Sequence, residues 1–133
     1  MIVDSSALVA ILKREPEASA LSTVLDRAED AKISAATYFE SGIVVDGRKN
    51  PILSRQLDEL VDRFSIEIEP ITAEQAKIAR QAYRDYGKGS GHPANLNFGD
   101  CFSYALARVK REPILFKGDD FGHTDLRSAL ADR

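Results

Sequence analysis

Asp4, Glu40, Asp100 and the adjacent pair Asp119 and Asp120 are the residues whose type and setting could do chemistry. Asp4 follows the short apolar run Ile2-Val3 and precedes a segment in which Ala7, Leu8, Ile11 and Leu12 recur at helical spacing, so it stands where a strand hands over to a helix. Asp119 and Asp120 follow a second strand-like run, Ile114-Leu115-Phe116. Glu40 has Ala36, Thr37, Ile43 and Val44 three and four residues away, which places it beside an apolar helical stripe. A carboxylate buried there without a partner is costly or takes up a proton, and a cation is the economical partner.

Each of these residues also has a plainer use. Asp4 could be only a helix N-cap, Asp100 the third residue of a helix capped by Asn97, and Asp119 and Asp120 turn formers. The chain has 21 acidic residues, so position must single out a site where residue type does not. If these carboxylates converge, they repel one another until a hard divalent ion such as Mg²⁺ or Mn²⁺ joins them. Water activated by such an ion would hydrolyse a phosphodiester without a covalent enzyme intermediate, and whether one or two ions act stays open.

The elements that must position these groups follow from periodicity and punctuation. A helix over Ala18 to Ala28 and a buried strand over Ala31 to Ser34 precede the helix that carries Glu40, which Gly47 and Asn50-Pro51 interrupt. Leu53, Leu57, Leu60, Val61 and Phe64 mark the next helix, Ile66 to Ile71 alternates as a strand, and Thr72 caps a helix through Tyr83. Gly87 to Asn97, with three glycines, is the long irregular stretch and the expected place for a mobile binding loop. Asn97 caps the helix of Asp100. Strands alternating with helices predict a three-layer α/β/α sandwich around a central parallel sheet of four or five strands, as a single domain over 1–133. Sites in such sheets lie beyond the strand C-termini at the topological switch point, where Asp4 and the Asp119-Asp120 pair fall.

Composition limits the function. A net charge of −3 argues against a protein that grips nucleic acid through a large basic surface, but is compatible with a nuclease whose carboxylates hold cations. Cys101 is the single cysteine and reads as a small buried apolar residue. No basic leader and no run of membrane-span length precedes Asp4, so a cytoplasmic protein with no membrane partner is expected.

Four segments, MIVDSSALVAIL, SAATYFESG, LNFGDCFSYALA and ILFKGDDF, occur in that order, and together the chain resembles a PIN domain of the VapC toxin type. The resemblance implies a Mg²⁺- or Mn²⁺-dependent endoribonuclease, the toxin of a type II toxin–antitoxin pair, cutting RNA such as transfer or ribosomal RNA. It makes Asp4, Glu40, Asp100 and Asp119 the acidic quartet, with Asp4 and Asp100 as direct metal ligands and Glu40 and Asp119 holding a second ion or orienting water. Asp120 competes with Asp119 for the fourth place, and Ser6 matches the family's hydroxyl beside the first aspartate. A homodimer is implied, as is a VapB-like antitoxin whose apolar residues would lie in a groove including Ile43, Val44, Leu53 and Leu57. Lys88, Lys117 and Arg14, with Lys13, His92 and His123 near the same edge, are candidate RNA contacts. Two other readings use the same carboxylates: a metal-dependent phosphatase or DNA nuclease, and a non-enzymatic Mg²⁺-binding aspartate switch.

Overall fold

The computed structural model describes residues 1–130. The chain runs β1 (Ile2–Val3), α1 (Ser5–Leu12), α2 (Ala18–Arg27), β2 (Lys32–Ser34), α3 (Ala35–Asp46), α4 (Pro51–Arg63), β3 (Glu67–Glu69), α5 (Ala73–Tyr86), α6 (Phe98–Lys110) and β4 (Ile114–Leu115), then a 3₁₀ turn at Phe121–His123. The four strands form one parallel sheet in the order β3-β2-β1-β4. The segment after the 3₁₀ turn adds a bridge, Ser128 to Ile114, along the outer edge of β4 without becoming a fifth strand.

Successive strand residues point to opposite faces, and the core divides accordingly. Val3, Ile33 and Leu115 meet Ala7, Leu8, Leu21, Leu25, Leu57 and Leu60 of α1, α2 and α4 on one side. Ile2 meets Leu106 and Ala107 of α6, while Ile114 and Phe116 meet Ala79 and Ala82 of α5 and Ala105 of α6 on the other. These two clusters make the outer layers of an α/β/α sandwich. Ile2, Val3, Ile33, Ile114 and Leu115 are all fully buried, each burial stabilising the fold by about 1.5–3 kcal/mol.

Helix ends fall where the sequence marks them. Asn50, Thr72 and Asn97 each accept backbone N–H groups as N-caps of α4, α5 and α6. Two expectations change. The stretch Gly87 to Asn97 is pinned at both ends: Gly87 bridges Leu96, Lys88 N–H donates to the Leu96 carbonyl at 2.7 Å, and Leu96 N–H donates to the Tyr86 carbonyl at 2.9 Å. Ala94 and Leu96 are fully buried beneath α5 and α6, so burial anchors the segment despite its composition. Leu57 and Leu53 pack into the core beside α1, which removes them from the expected surface groove, whereas Ile43 and Val44 are exposed with Ile52.

Candidate active site

The order β3-β2-β1-β4 means that the chain moves outward from β1 on one side and returns to add β4 on the other. The switch point therefore lies between β1 and β4, beyond their C-terminal ends. Asp4 leaves β1 there in an extended conformation (φ −88°, ψ 157°), and its Oδ2 accepts the Ser6 N–H at 3.1 Å. The capping role is real, but it accounts for only part of the residue's setting. Asp4 is 1% exposed. Oδ2 also accepts the Ser6 hydroxyl at 2.7 Å, and Oδ1 accepts the Ser103 hydroxyl of α6 at 2.6 Å. Ser103 spends its one proton on Asp4, so the buried Thr37 hydroxyl of α3, 3.1 Å away, is the donor to Ser103. Ser6 Oγ in turn accepts the Lys117 N–H at 3.0 Å, tying the start of α1 to the exit of β4.

Glu40 reaches the same region from α3. It is half-buried, its Oε1 accepts the Ser5 hydroxyl at 3.0 Å, and its carboxyl group fills the space that a side chain at Gly99 would occupy. Burial raises its pKa, the Ser5 hydrogen bond opposes that rise, and the Asp4 charge adds to it.

Asp100 completes a capping box: its Oδ2 accepts the Asn97 N–H at 3.0 Å while Asn97 Oδ1 accepts the Asp100 N–H at 2.9 Å. Burial pushes its carboxyl up to about 7 against that hydrogen bond, and the charges of Asp4, Asp120 and Glu40 push the same way. Asp120 is raised by burial and then by Asp4 and Asp119, with His123 opposing. Of the two aspartates after β4, Asp120 is the one whose charge acts on Asp100 and is itself raised by Asp4, which favours it for the fourth place that the sequence leaves between Asp119 and Asp120. Asp120 flanks the N-terminal end of the 3₁₀ turn at Phe121–His123 and makes no capping hydrogen bond with its side chain.

Four carboxylates from three helical elements and one turn therefore share a field. Among the described residues no three of them close around one point as a ready-made cage. Their hard oxygen donors fit an ion of the Mg²⁺ type, which keeps several waters and takes only one or two carboxylates directly. The ion would be held by Asp4 and Asp100, with Glu40 and Asp120 beside them.

The candidate RNA contacts divide. Lys117 Nζ is engaged by Glu15 at 2.6 Å, with Glu17 at 3.9 Å, so its charge is already partnered. Lys88 is exposed at the end of the pinned stretch. Arg14 lies away from the carboxylates, lining a groove between α1 and α4 with Ile11, Gln56 and Arg63. His92 Nδ1 accepts the Ala94 N–H and the ring packs edge-on against Tyr86, a structural placement. Cys101 is buried, its thiol pushed up to about 11 by burial and the Asp100 charge, as suits an inert packing residue.

A PIN domain family model matches residues 1–126. The chain belongs to that family. Within it, this PIN domain is 55% identical to ribonuclease VapC28 of Mycobacterium tuberculosis, over 130 residues that make up 98% of each chain. It is 52% identical to ribonuclease VapC42 of the same species across 97% of this chain and 98% of that one, and so belongs to the VapC type. Among solved structures it resembles Mycobacterium tuberculosis VapC20, a sarcin-ricin loop cleaving toxin, with a TM-score of 0.73, 16% identity and coverage of 94% and 95%. It also resembles a toxin–antitoxin complex from Klebsiella pneumoniae, with a TM-score of 0.66, 18% identity and coverage of 90% and 88%. At such identities these likenesses speak to the PIN fold alone.

Three residues of this PIN domain site escape a reading by motif: Thr37, Gly99 and Ser103. For Ser103 a signal is present. Its neighbours at helical spacing are Gly99, Asp100, Leu106 and Ala107, so a hydroxyl there faces inward and needs a partner. For Gly99 the sequence offers only a glycine inside a helix, which periodicity leaves unexplained.

Proposed function

We propose that this chain is a ribonuclease toxin of the VapC type, hydrolysing RNA phosphodiester bonds at Asp4, Glu40, Asp100 and Asp120 with Mg²⁺ or Mn²⁺ as cofactor. The observation that carries this reading is geometric: Asp4, 1% exposed at the strand-end switch point with its oxygens held by Ser6 and Ser103, lies near the carboxylates of Glu40, Asp100 and Asp120. Burial first, and neighbouring charge second, resist ionisation of Asp100, and a cation-binding site is the function that explains carboxylates gathered at such a cost.

When bound, a divalent ion would supply charge neutralisation at the phosphate and a more acidic water. The chain's own residues do the positioning. Ser6 and Ser103 fix the two oxygens of Asp4 from opposite sides, so the carboxylate cannot rotate away. The Asn97 N–H holds Oδ2 of Asp100 and leaves Oδ1 without a hydrogen-bond donor among the described residues. Ser5 steadies Glu40 on the flank. Lys88 is the exposed cation best kept for the RNA backbone, and Lys117 shapes the site through its backbone N–H to Ser6. Glu40, seated against α6, gives the site a carboxylate with no obvious place in an aspartate switch.

An antitoxin that blocks the site and a second copy of the chain belong to this reading. Ile43 and Val44 on α3 with Ile52 on α4, and the groove between α5 and α6 lined by Tyr83, Phe98 and Phe102, are exposed apolar surfaces available to them.

The test is cleavage of RNA by the purified protein. Cleavage with Mn²⁺ or Mg²⁺, its arrest by chelator, and its loss in folded Asp4→Asn and Asp100→Asn variants are the expected results. Full activity of both variants would remove the site, and cleavage undiminished by chelator would remove the cofactor.

A further inference from the structure

We propose that Gly99 is a positioning residue: its missing side chain is the seat that holds the Glu40 carboxylate against α6, beside Asp100. The proposal rests on the acidic-site reading above and adds to it the means by which the α3 carboxylate reaches a site built mainly on β1 and α6.

The geometry is specific. A Cβ at position 99 would stand 2.5 Å from the Glu40 carboxyl carbon and 2.7 Å from Oε1, with Oε2 closer still. Contacts below 3 Å cannot persist, so one group must move. Gly99 is buried in the first turn of α6, between the Asn97 cap and Asp100, and this backbone is locked by the capping box. Glu40 is the far end of a flexible side chain, so it is Glu40 that would leave. No backbone reason requires glycine here: Gly99 is helical, not among the positive-φ residues, and alanine is the better helix former. What glycine supplies is room, and the group in that room is a carboxylate. The other side of the seat is the Ser5 hydroxyl, 3.0 Å from Oε1, so Glu40 is clasped between α1 and α6. A hydrocarbon side chain would suit a gap between packed helices better than a charge. Its occupation by a half-buried carboxylate near Asp4 and Asp100 marks the gap as part of the site.

The experiment compares Gly99→Ala, Glu40→Ala, the double variant of both, and Gly99→Ala combined with Glu40→Asp. Mn²⁺ binding by calorimetry, thermal melting and RNA cleavage are read on each. Gly99→Ala is expected to melt no lower than the parent, yet to lose at least tenfold in Mn²⁺ affinity and in cleavage, and to cost nothing further on top of Glu40→Ala. Aspartate withdraws the carboxylate by one carbon–carbon bond, about 1.5 Å, so Glu40→Asp is expected to recover part of both readouts in the Gly99→Ala background while impairing the parent. Parent-like Mn²⁺ affinity and cleavage in Gly99→Ala overturn the proposal, as does an equal loss when Glu40 is already alanine. If Glu40→Ala itself binds and cleaves like the parent, the seat has no function and Glu40 leaves the site; if Glu40→Ala is impaired and Gly99→Ala is not, only the seat falls.

Discussion

Asp100 shows how a single side chain is set between two duties. As a capping-box residue it accepts a backbone N–H and stabilises α6 when ionised, but burial beside Asp4, Asp120 and Glu40 resists that ionisation and lifts its pKa from 3.8 to about 7. The linkage follows directly. Below about pH 4 both folded and unfolded chains hold the proton and the residue contributes no pH dependence. Between there and about 7 the unfolded chain ionises first, so stability falls as pH rises, and above 7 the loss is complete. The carboxylates titrate as a group, so the clean readout is a difference between variants. Asp100→Asn keeps an oxygen for the Asn97 N–H and removes the charge. In chelator it is expected to melt above the parent at pH 8, with the gap closing towards pH 4, and added Mn²⁺ should narrow the gap at pH 8 by binding the parent. A gap that is absent at pH 8, or widest at pH 4, would show that burial and the neighbouring charges do not resist ionisation of Asp100 as described.

At the scale of elements, α1, α3 and α6 are joined by hydroxyls. Thr37 donates to Ser103, Ser103 to Asp4, and all three are nearly or fully buried. Ser103→Ala would leave a buried carboxylate oxygen and the Thr37 hydroxyl each short of a partner, a loss of about 1–3 kcal/mol. Supporting groups around a metal site also carry roughly 10–100-fold in metal affinity or activity. Urea unfolding of the apo-protein and Mn²⁺ titration check both, and a neutral result in each would make the network incidental. The elements themselves were legible because helices announce their ends. Thr72 and Asn97 are caps in sequence and in structure, and the Asn50-Pro51 break in the sequence is the N-cap and first residue of α4. The acidic residues stood out because Asp4 follows an apolar run and Glu40 lies inside an apolar stripe. The choice between Asp119 and Asp120 and the pinning of the stretch before α6 were not legible, since adjacent aspartates in a turn look alike in sequence, and burial of Ala94 and Leu96 overrides glycine content in the second. Gly99 was hidden for a different reason: its partner is 59 residues away and only the packing of α3 against α6 brings the two together.

At the scale of the whole molecule, two very short strands, the inner β1 and its edge neighbour β4, are essential to the sheet. β1 has two residues and β4 two, yet Ile2, Val3, Ile114 and Leu115 are fully buried between the helical layers, so stability comes from the faces of the sheet more than from ladder length. Leu106 of α6, fully buried against Ile2, is the test of that view. Leu106→Ala is expected to cost about 2–5 kcal/mol in urea unfolding while leaving Mn²⁺ affinity of the folded protein near the parent's. A loss below 1 kcal/mol, on the order of an exposed substitution, would refute it. The pairing of β1 with β4 also bears on how the protein is made. Ile2 and Val3 pair with Ile114 and Leu115, which come more than a hundred residues further along the chain. Until that later stretch has been synthesised, Asp4 stands at the end of a strand with one side unpaired and Asp120 not yet made. A centre divided in this way stays incomplete during translation until β4 and the turn after it have emerged.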